Sequence, residues 1–393
     1  MIPLEEAFRR LDIALENRSL PTQKVQVDQA RGLFLAADVT SRLDLPPFDK
    51  SAVDGYALLT GDYDREQYQL LETVAAGRPG KAELKAGTTV KVMTGAPLPA
   101  GAGRVVMLED TIEQDGWVKV QRRTRDANLC RQAEDVRAGQ VILTKGERLG
   151  ALEIANLVGC GITEIDAVLP ARVFIISTGD EIVDRPELIE PGKIMNSNGP
   201  LLSELAREHE LPVVCEAWVP DDTSALKEML HRAIQEADIV ILSGGVSAGE
   251  YDYVPEVMKR LGITIHFDRL AVKPGKPTTF GTAPQSIVFA LPGNPVAVYL
   301  MFKLMVLRAV ARLSGAALTA LQFRAPLLKD FRRGSGVRME YVPARLTTEG
   351  TVERLEYHGS GHLTALMQAD GFFVVPLGVT EIAAGERVQF VLR

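Results

Sequence analysis

VFIISTGDE at 173–181, IVILSGGVSAGEYD at 239–252 and IVFALPGNP at 287–295 share one pattern: a short apolar run followed at once by glycine and polar residues. Two further runs, 213–219 and 263–267, are likewise short and bounded. Between them, Leu226, Met229, Leu230, Ala233, Ile234 and Ala237 form one continuous helical face, and Asp222 or Thr223 is placed to cap its exposed amides. Short apolar strands alternating with amphipathic helices over 171–315 predict a doubly wound, parallel α/β sheet. Ligands of such sheets bind beyond the carboxyl ends of the strands, so the glycine-rich loops are the first places to look for chemistry.

Outward from this core the pattern changes. At the N-terminus, Leu4, Phe8, Leu11 and Leu15 recur at helical spacing. From about 25 to 120, β-prone runs such as 90–93 and 105–108 are separated by glycine and proline clusters, which predicts an all-β insertion. Leu149, Leu152, Ala155 and Val158 return to helical spacing and stop at Gly159 and Gly161, so the first domain is expected to be discontinuous. After about 319, runs at 341–346, 372–375 and 388–392 predict a closing β-domain.

The chain has 393 residues, 46% hydrophobic and 24% charged, which demands more than one hydrophobic core. Lys and Arg number 44 against 51 Asp and Glu, a net charge of −7 that argues against a nucleic-acid coat and leaves any anion binding local. Cys130, Cys160 and Cys215 form no CxxC pair and read as reduced thiols. Glu5 and Glu6 stand where an export signal would be basic, so a cytoplasmic protein is expected. The most apolar stretch, 295–313, carries Lys303, Arg308 and Arg312, and reads as a buried helix rather than a membrane span.

Gly244, Gly245 and Gly249 let backbone amides turn toward an anion, although glycines in tight turns need no ligand. Lys273 and Lys276 flank Pro274 and Gly275 on a stiff turn that can hold two ammonium groups near one spot. Asp180, Glu181, Asp221, Asp222 and Asp252 all fall at strand or loop ends. Hard oxygen ligands beside a phosphate cradle suit Mg2+, which binds one or two carboxylates plus substrate phosphates. Asp222 suits a helix cap best, so Glu181, Asp221 and Asp252 are the candidate metal ligands. None of the five histidines stands in a nucleophile motif, and Gly359 and Gly361 between His358 and His362 argue against a helical zinc site.

With PPFDKSAVDGYA at 46–57, VMTGAPLP from Val92, STGDE from Ser177, SGGVSAGEYDY from Ser243, VKPGKP from Val272, LPGNP from Leu291 and GSGHLTAL from Gly359, the whole chain resembles the MoeA and gephyrin E-domain family. These are the molybdopterin molybdenumtransferases of molybdenum cofactor biosynthesis. The resemblance implies an elongated multi-domain chain of α/β and β parts. They are a discontinuous first domain (1–45 and 137–170), an inserted β-domain (46–136), a MoaB/MogA-like molybdopterin-binding α/β domain (171–316) and a C-terminal β-barrel-like domain (317–393). It implies insertion of molybdenum from molybdate into adenylylated molybdopterin, with release of AMP that depends on a divalent cation such as Mg2+. It also implies a homodimer in which Asp54 and Thr94 reach across to the other subunit's α/β domain.

On this resemblance Glu181, Asp221 and Asp252 organise metal and substrate, and Asp54 and Asp135 supply further acid. Ser243, Gly244 and Gly245 line the pterin phosphate cradle. Pro292, Gly293, Asn294 and Pro295 shape the pocket beside it, Lys273 and Lys276 balance phosphate or molybdate charge, and Ser360 contributes from the last domain. One stretch departs from the family pattern of arginine, two residues, glycine, glutamate and aspartate: Cys130 and Ala133 stand at the arginine and glycine positions, with Arg131 the candidate substitute. A separate protein is expected to supply the adenylylated substrate, with molybdoenzyme apoproteins or chaperones receiving the product and no nucleic acid or membrane involved. Adenylyl transfer or nucleotide pyrophosphate hydrolysis on the same α/β domain, or a non-catalytic dimeric scaffold, are the alternatives.

Overall fold

The computed structural model describes residues 1–245, 253–317, 322–359 and 361–393, so Asp252 and Ser360 lie outside the described residues. Its central sheet has six strands in the order Val213–Val219, Val173–Thr178, Ile239–Ser243, Ile287–Leu291, Thr279–Thr282, Thr264–Phe267. The first four run parallel. Val173–Thr178, Ile239–Ser243 and Ile287–Leu291 are buried at every position, because helices cover both faces.

Alternate side chains of these strands therefore enter two cores. Ile175, Ile241 and Phe289 face one layer, while Phe174, Ile176, Val240, Leu242 and Val288 meet the other, where the helices Thr223–Glu236 and Val254–Arg260 pack.

The far edge departs from the fully parallel expectation. Thr279–Thr282 runs antiparallel to Ile287–Leu291, and Thr264–Phe267 antiparallel to it in turn. Only 283–286 separates Thr282 from Ile287, whereas a parallel crossover needs roughly a dozen residues. The first helix, Leu4–Ala14, also differs from its expected place in the first domain. Its buried face of Leu4, Ala7 and Leu11 joins the α/β core, Ile2 bridges Leu270, and Asp12 pairs with Arg308 at 2.5 Å. Periodicity marked the apolar face but not the layer that covers it. Between Pro295 and Leu313 the helix is continuous but passes through a π-helical turn at Phe302–Val306.

The first domain is built on a three-stranded sheet of Thr22–Gln26, Glu164–Val168 and Phe34–Leu35 with the helix Ala151–Gly159. The insertion is a six-stranded sheet around Ala57, Val74, Val90 and Val105, joined to the rest where Lys50–Ser51 pairs with Leu129–Cys130. In the C-terminal part, Met339–Leu346, Gly371–Val375, Arg387–Leu392 and Gln322–Pro326 form one sheet, and Val272–Lys273 from the α/β domain adds to it in parallel. That register sets Lys273 opposite Glu340. Among the described residues, no helix is long and apolar enough to cross a membrane.

Candidate functional site

The ends of the four parallel strands form one rim. On it, Gly244 and Gly245 have φ of +99° and +63°, and a Cβ on Gly244 would lie 2.4 Å from the Thr178 carbonyl oxygen. Glycine is required here because two strand-end loops touch backbone to backbone.

Asn198, the first residue of the helix Asn198–Glu208, is buried beneath them. Its Nδ2 donates to Ser243 Oγ at 2.7 Å and to the Gly293 carbonyl at 2.6 Å, tying the 243–245 and 292–295 loops together. Its Oδ1 is buried with no hydrogen-bond partner among the described residues, leaving an acceptor on the floor of the cradle. Asn294 caps and Pro295 opens the helix Pro295–Met301, so these residues are held by a helix start.

Toward the 213–219 edge, two carboxylates meet. The Asp221 amide donates to Asp180 Oδ1 at 3.0 Å, and the Asp180 amide reaches Asp221 Oδ2 at 3.4 Å. The Tyr253 hydroxyl donates to Asp221 Oδ1. Burial and then the Asp221 carboxylate push that phenol well above its usual range, so it remains a donor at any working pH. Glu181 folds back over Gly179, its carboxylate lying within 2.3 to 2.8 Å of where a Gly179 Cβ would be. Asp222 is a helix cap, its carboxylate accepting from the Ala225 amide at 2.7 Å. The sequence-predicted acids thus divide: Asp221 is tied to Asp180 by crossed amide–carboxylate bonds, Glu181 folds over Gly179, no group of three metal-ligating side chains forms among the described residues, and Asp252 lies outside them.

At the opposite end of the rim the two lysines do converge. Lys273 and Lys276 line one cavity of about 360 Å³ with Pro292, Asn294, Arg338 and Tyr357. Lys273 is neutralised by Glu340 at 2.8 Å, and Arg333 also reaches Glu340 at 3.3 Å. Lys276 and Arg338 make no ion pair among the described residues, so the cavity keeps net positive charge. The Tyr357 hydroxyl is buried with no partner among the described residues, and burial raises its pKa to about 12, which leaves a donor for an oxyanion. The chemistry of this lining fits a small dianion.

Asp54 and Thr94 meet in the inserted domain, where the Thr94 amide and Oγ1 donate to Asp54 Oδ1 at 2.6 and 2.8 Å. Those bonds hold the Asp54 carboxyl below the usual carboxylate range. Asp135 is exposed in the bend just before Val136 bridges Leu45, its amide donating to the Leu45 carbonyl at 2.9 Å. Asp54, Thr94 and Asp135 line neither rim cavity of their own chain. In the departing stretch, Ala133 adopts φ +60°, the conformation a glycine would take, and Arg131 is engaged by Asp49 at 2.6 Å.

Three consecutive family descriptions match this chain: "MoeA N-terminal region (domain I and II)" over 2–161, "Probable molybdopterin binding domain" over 174–312, and "MoeA C-terminal region (domain IV)" over 324–392. The chain belongs to the MoeA family. Relatives named molybdopterin molybdenumtransferase from Staphylococcus epidermidis and Staphylococcus aureus are each 32% identical to it, covering 100% of this chain and 95% of theirs. A crystal structure of the molybdopterin biosynthesis MoeA protein of Pyrococcus horikoshii OT3 superposes with a TM-score of 0.85 at 30% identity, covering both chains entirely.

Against this MoeA frame, sequence reasoning missed Asn198, Tyr253, Arg338 and Tyr357. Asn198 carried a faint signal, because Asn196, Ser197 and Asn198 cluster before a helix start. Arg338 carried none, since only the pairing of 339–346 with 272–273 brings it to the lysines.

Proposed function

We propose that the chain transfers molybdenum from molybdate to the dithiolene of adenylylated molybdopterin and releases AMP, a late step of molybdenum cofactor biosynthesis. The observation that carries this reading is the order of chemistry along one rim. Paired carboxylates lie at the 213–219 and 173–178 ends, the glycine and Asn198 cradle at 239–243, and the lysine and arginine cavity beyond 287–291.

Asp180 and Asp221, oriented by each other's amides, would hold a hard divalent cation that takes its remaining ligands from substrate phosphate and water. When bound, Mg2+ would withdraw charge from the phosphoanhydride and favour departure of AMP. The chain's own part is to hold both ends of a long substrate: Ser243, Gly244 and Gly245 take the pterin phosphate, and Pro292 to Pro295 wall the pterin end. Lys276, Arg338 and Tyr357 receive molybdate where the dithiolene arrives.

A second protomer completes the site. Asp54, fixed by Thr94 but exposed, would be delivered by the partner of a homodimer, with Asp135 supporting the same face. Exposed apolar side chains on the first domain, Leu152 at 80% and Val158 at 61%, supply a surface for that association. A separate cytoplasmic protein would provide the adenylylated substrate, and molybdoenzyme apoproteins or their chaperones would take the product.

The test is AMP release by the purified chain given adenylylated molybdopterin, Mg2+ and molybdate. Release must depend on both Mg2+ and molybdate. Consumption of ATP with free molybdopterin instead would point to adenylyl transfer, and cofactor formation unaffected by Asp221→Ala would remove the chemistry from this rim.

A further inference from the structure

Arg338 enters the lysine cavity from a segment with little of its own to anchor it. Residues 333–338 connect the short strand Phe331–Arg332 to the strand Met339–Leu346, they include Gly334, Ser335 and Gly336, and Val337 is 67% exposed. The far side of Arg338 is fixed by the sheet, where the Met339 amide donates to the Ala271 carbonyl at 2.8 Å. The near side is fixed by a side chain.

That side chain is Arg333, only 7% exposed and with four of its five N–H donors in use. Nη1 donates to the Arg338 carbonyl at 2.8 Å and to Glu340 Oε2 at 3.3 Å. Nε donates to the Val379 carbonyl at 2.7 Å and Nη2 to the Pro376 carbonyl at 2.6 Å. The planar fork thus binds the backbone of Arg338 to the facing 376–379 loop, and Glu340 compensates the buried charge. The two loops also touch directly: the Gly378 amide donates to the Gly336 carbonyl at 2.8 Å, and a Cβ on Gly336 would lie 2.9 Å from the Gly378 carbonyl carbon.

We propose that Arg333 is a positioning residue for the oxyanion cavity: it fixes the backbone from which the Arg338 guanidinium reaches the anion. The inference rests on the reading of this cavity as the molybdate end of the site. A side chain as long as arginine loses its aim when the backbone beneath it shifts, and here sheet pairing on one side and the Arg333 fork on the other leave that backbone no freedom. Lysine at 333 keeps a cation beside Glu340, but its single ammonium cannot span carbonyls from 338, 376 and 379.

Full-length Arg333→Lys protein is titrated calorimetrically with molybdate, in the parent and in an Arg338→Ala background, and thermal midpoints are recorded for all four proteins. Arg333→Lys should weaken molybdate binding fivefold or more. With alanine at 338 the same substitution should change the affinity less than twofold, while the fall in thermal midpoint is equal in both backgrounds. In AMP release, KM for molybdate should rise and kcat at saturating molybdate should stay within twofold of the parent. Gly336→Ala leaves Arg333 intact but forces the two loops apart, and should weaken molybdate binding about threefold.

Affinity within twofold of the parent in folded Arg333→Lys would overturn the proposal; if that variant does not fold, unchanged affinity in Gly336→Ala overturns it instead. An undiminished loss in the Arg338→Ala background would overturn it too, making Arg333 a general prop of its domain. Each of these results leaves the molybdenum-transfer reading standing, whereas a parent protein that binds no molybdate would take down the reading of the cavity together with the proposal.

Discussion

Charge in the lysine cavity can be altered in both directions, and the two changes should have opposite signs. Lys276 is exposed and makes no ion pair among the described residues, whereas Glu340 is largely buried and neutralises Lys273 at 2.8 Å while accepting from Arg333. A unit charge 4 Å from another is worth about 1 kcal/mol in water and about four times that at an effective dielectric of 20. For a dianion beside exposed Lys276 the aqueous limit gives about 2 kcal/mol, and screening over about 8 Å at physiological ionic strength reduces it to about 1 kcal/mol. Lys276→Gln should therefore weaken molybdate binding about fivefold.

Glu340→Gln keeps an acceptor for Arg333 but removes the negative charge and releases Lys273 toward the cavity. In this less solvated position the effect is larger, about 1.5 to 2.5 kcal/mol, so molybdate should bind roughly ten- to sixtyfold more tightly. Calorimetric titration of each variant with molybdate at 50 and 500 mM salt reads both numbers, and the gap should shrink at high salt. Weaker binding in Glu340→Gln, or no change in Lys276→Gln, would refute the assignment of this cavity to the oxyanion.

Three other outcomes follow from the geometry. Asn198→Ala strips the hydrogen bonds to Ser243 and Gly293 and should cost about 1 to 3 kcal/mol, read as a lowered thermal midpoint and a raised KM for the adenylylated substrate. Ala133→Gly removes about 1 to 2 kcal/mol of left-handed strain against about 0.4 to 1 kcal/mol of added unfolded-chain entropy, so denaturant unfolding should show a net gain of about 0.5 to 1 kcal/mol. Because Asp54's carboxyl is depressed in the folded chain, its stabilisation is complete above the unfolded value near about 3.9 and is lost as pH falls through the folded one. Asp54→Asn should therefore be less stable than the parent at pH 6, with the gap closing as pH falls below the unfolded carboxylate value in urea titrations.

The strand cores were legible because both faces are buried, which writes each central strand as an unbroken apolar run. The rim was legible because loops that must touch backbone to backbone need glycine, as Gly244 does against Thr178. What could not be read is whatever depends on register between distant segments. Thr279–Thr282 has one large apolar side chain and passes for a loop, although its short link to 287 forces an antiparallel pair. Arg338 reaches Lys273 and Lys276 only through pairing of 339–346 with 272–273. Asp180 was visible but set aside; the crossed bonds with Asp221 reveal it as the acid most tightly coupled to the rim.

The sheet also resolves a conflict that the residue types alone leave open. Carboxylates that attract a cation repel molybdate, and lysines that attract molybdate repel the cation, so a single tight cluster of both would collapse into ion pairs. Here the acids stand at the 213–219 and 173–178 ends and the cationic cavity beyond 287–291, two strand spacings or about 10 Å from the nearer acid strand. That distance is close to a Debye length at physiological ionic strength, where the mutual attraction of solvated charges is largely screened. Between them lie groups without net charge, Gly244, Gly245, Ser243 and Asn198, which hydrogen-bond rather than pair. On the proposed reading a parallel sheet is thus a spacer as well as a scaffold: its strand order would keep the anhydride-cleaving end and the metal-receiving end apart, so that only a substrate long enough to bridge them would engage both.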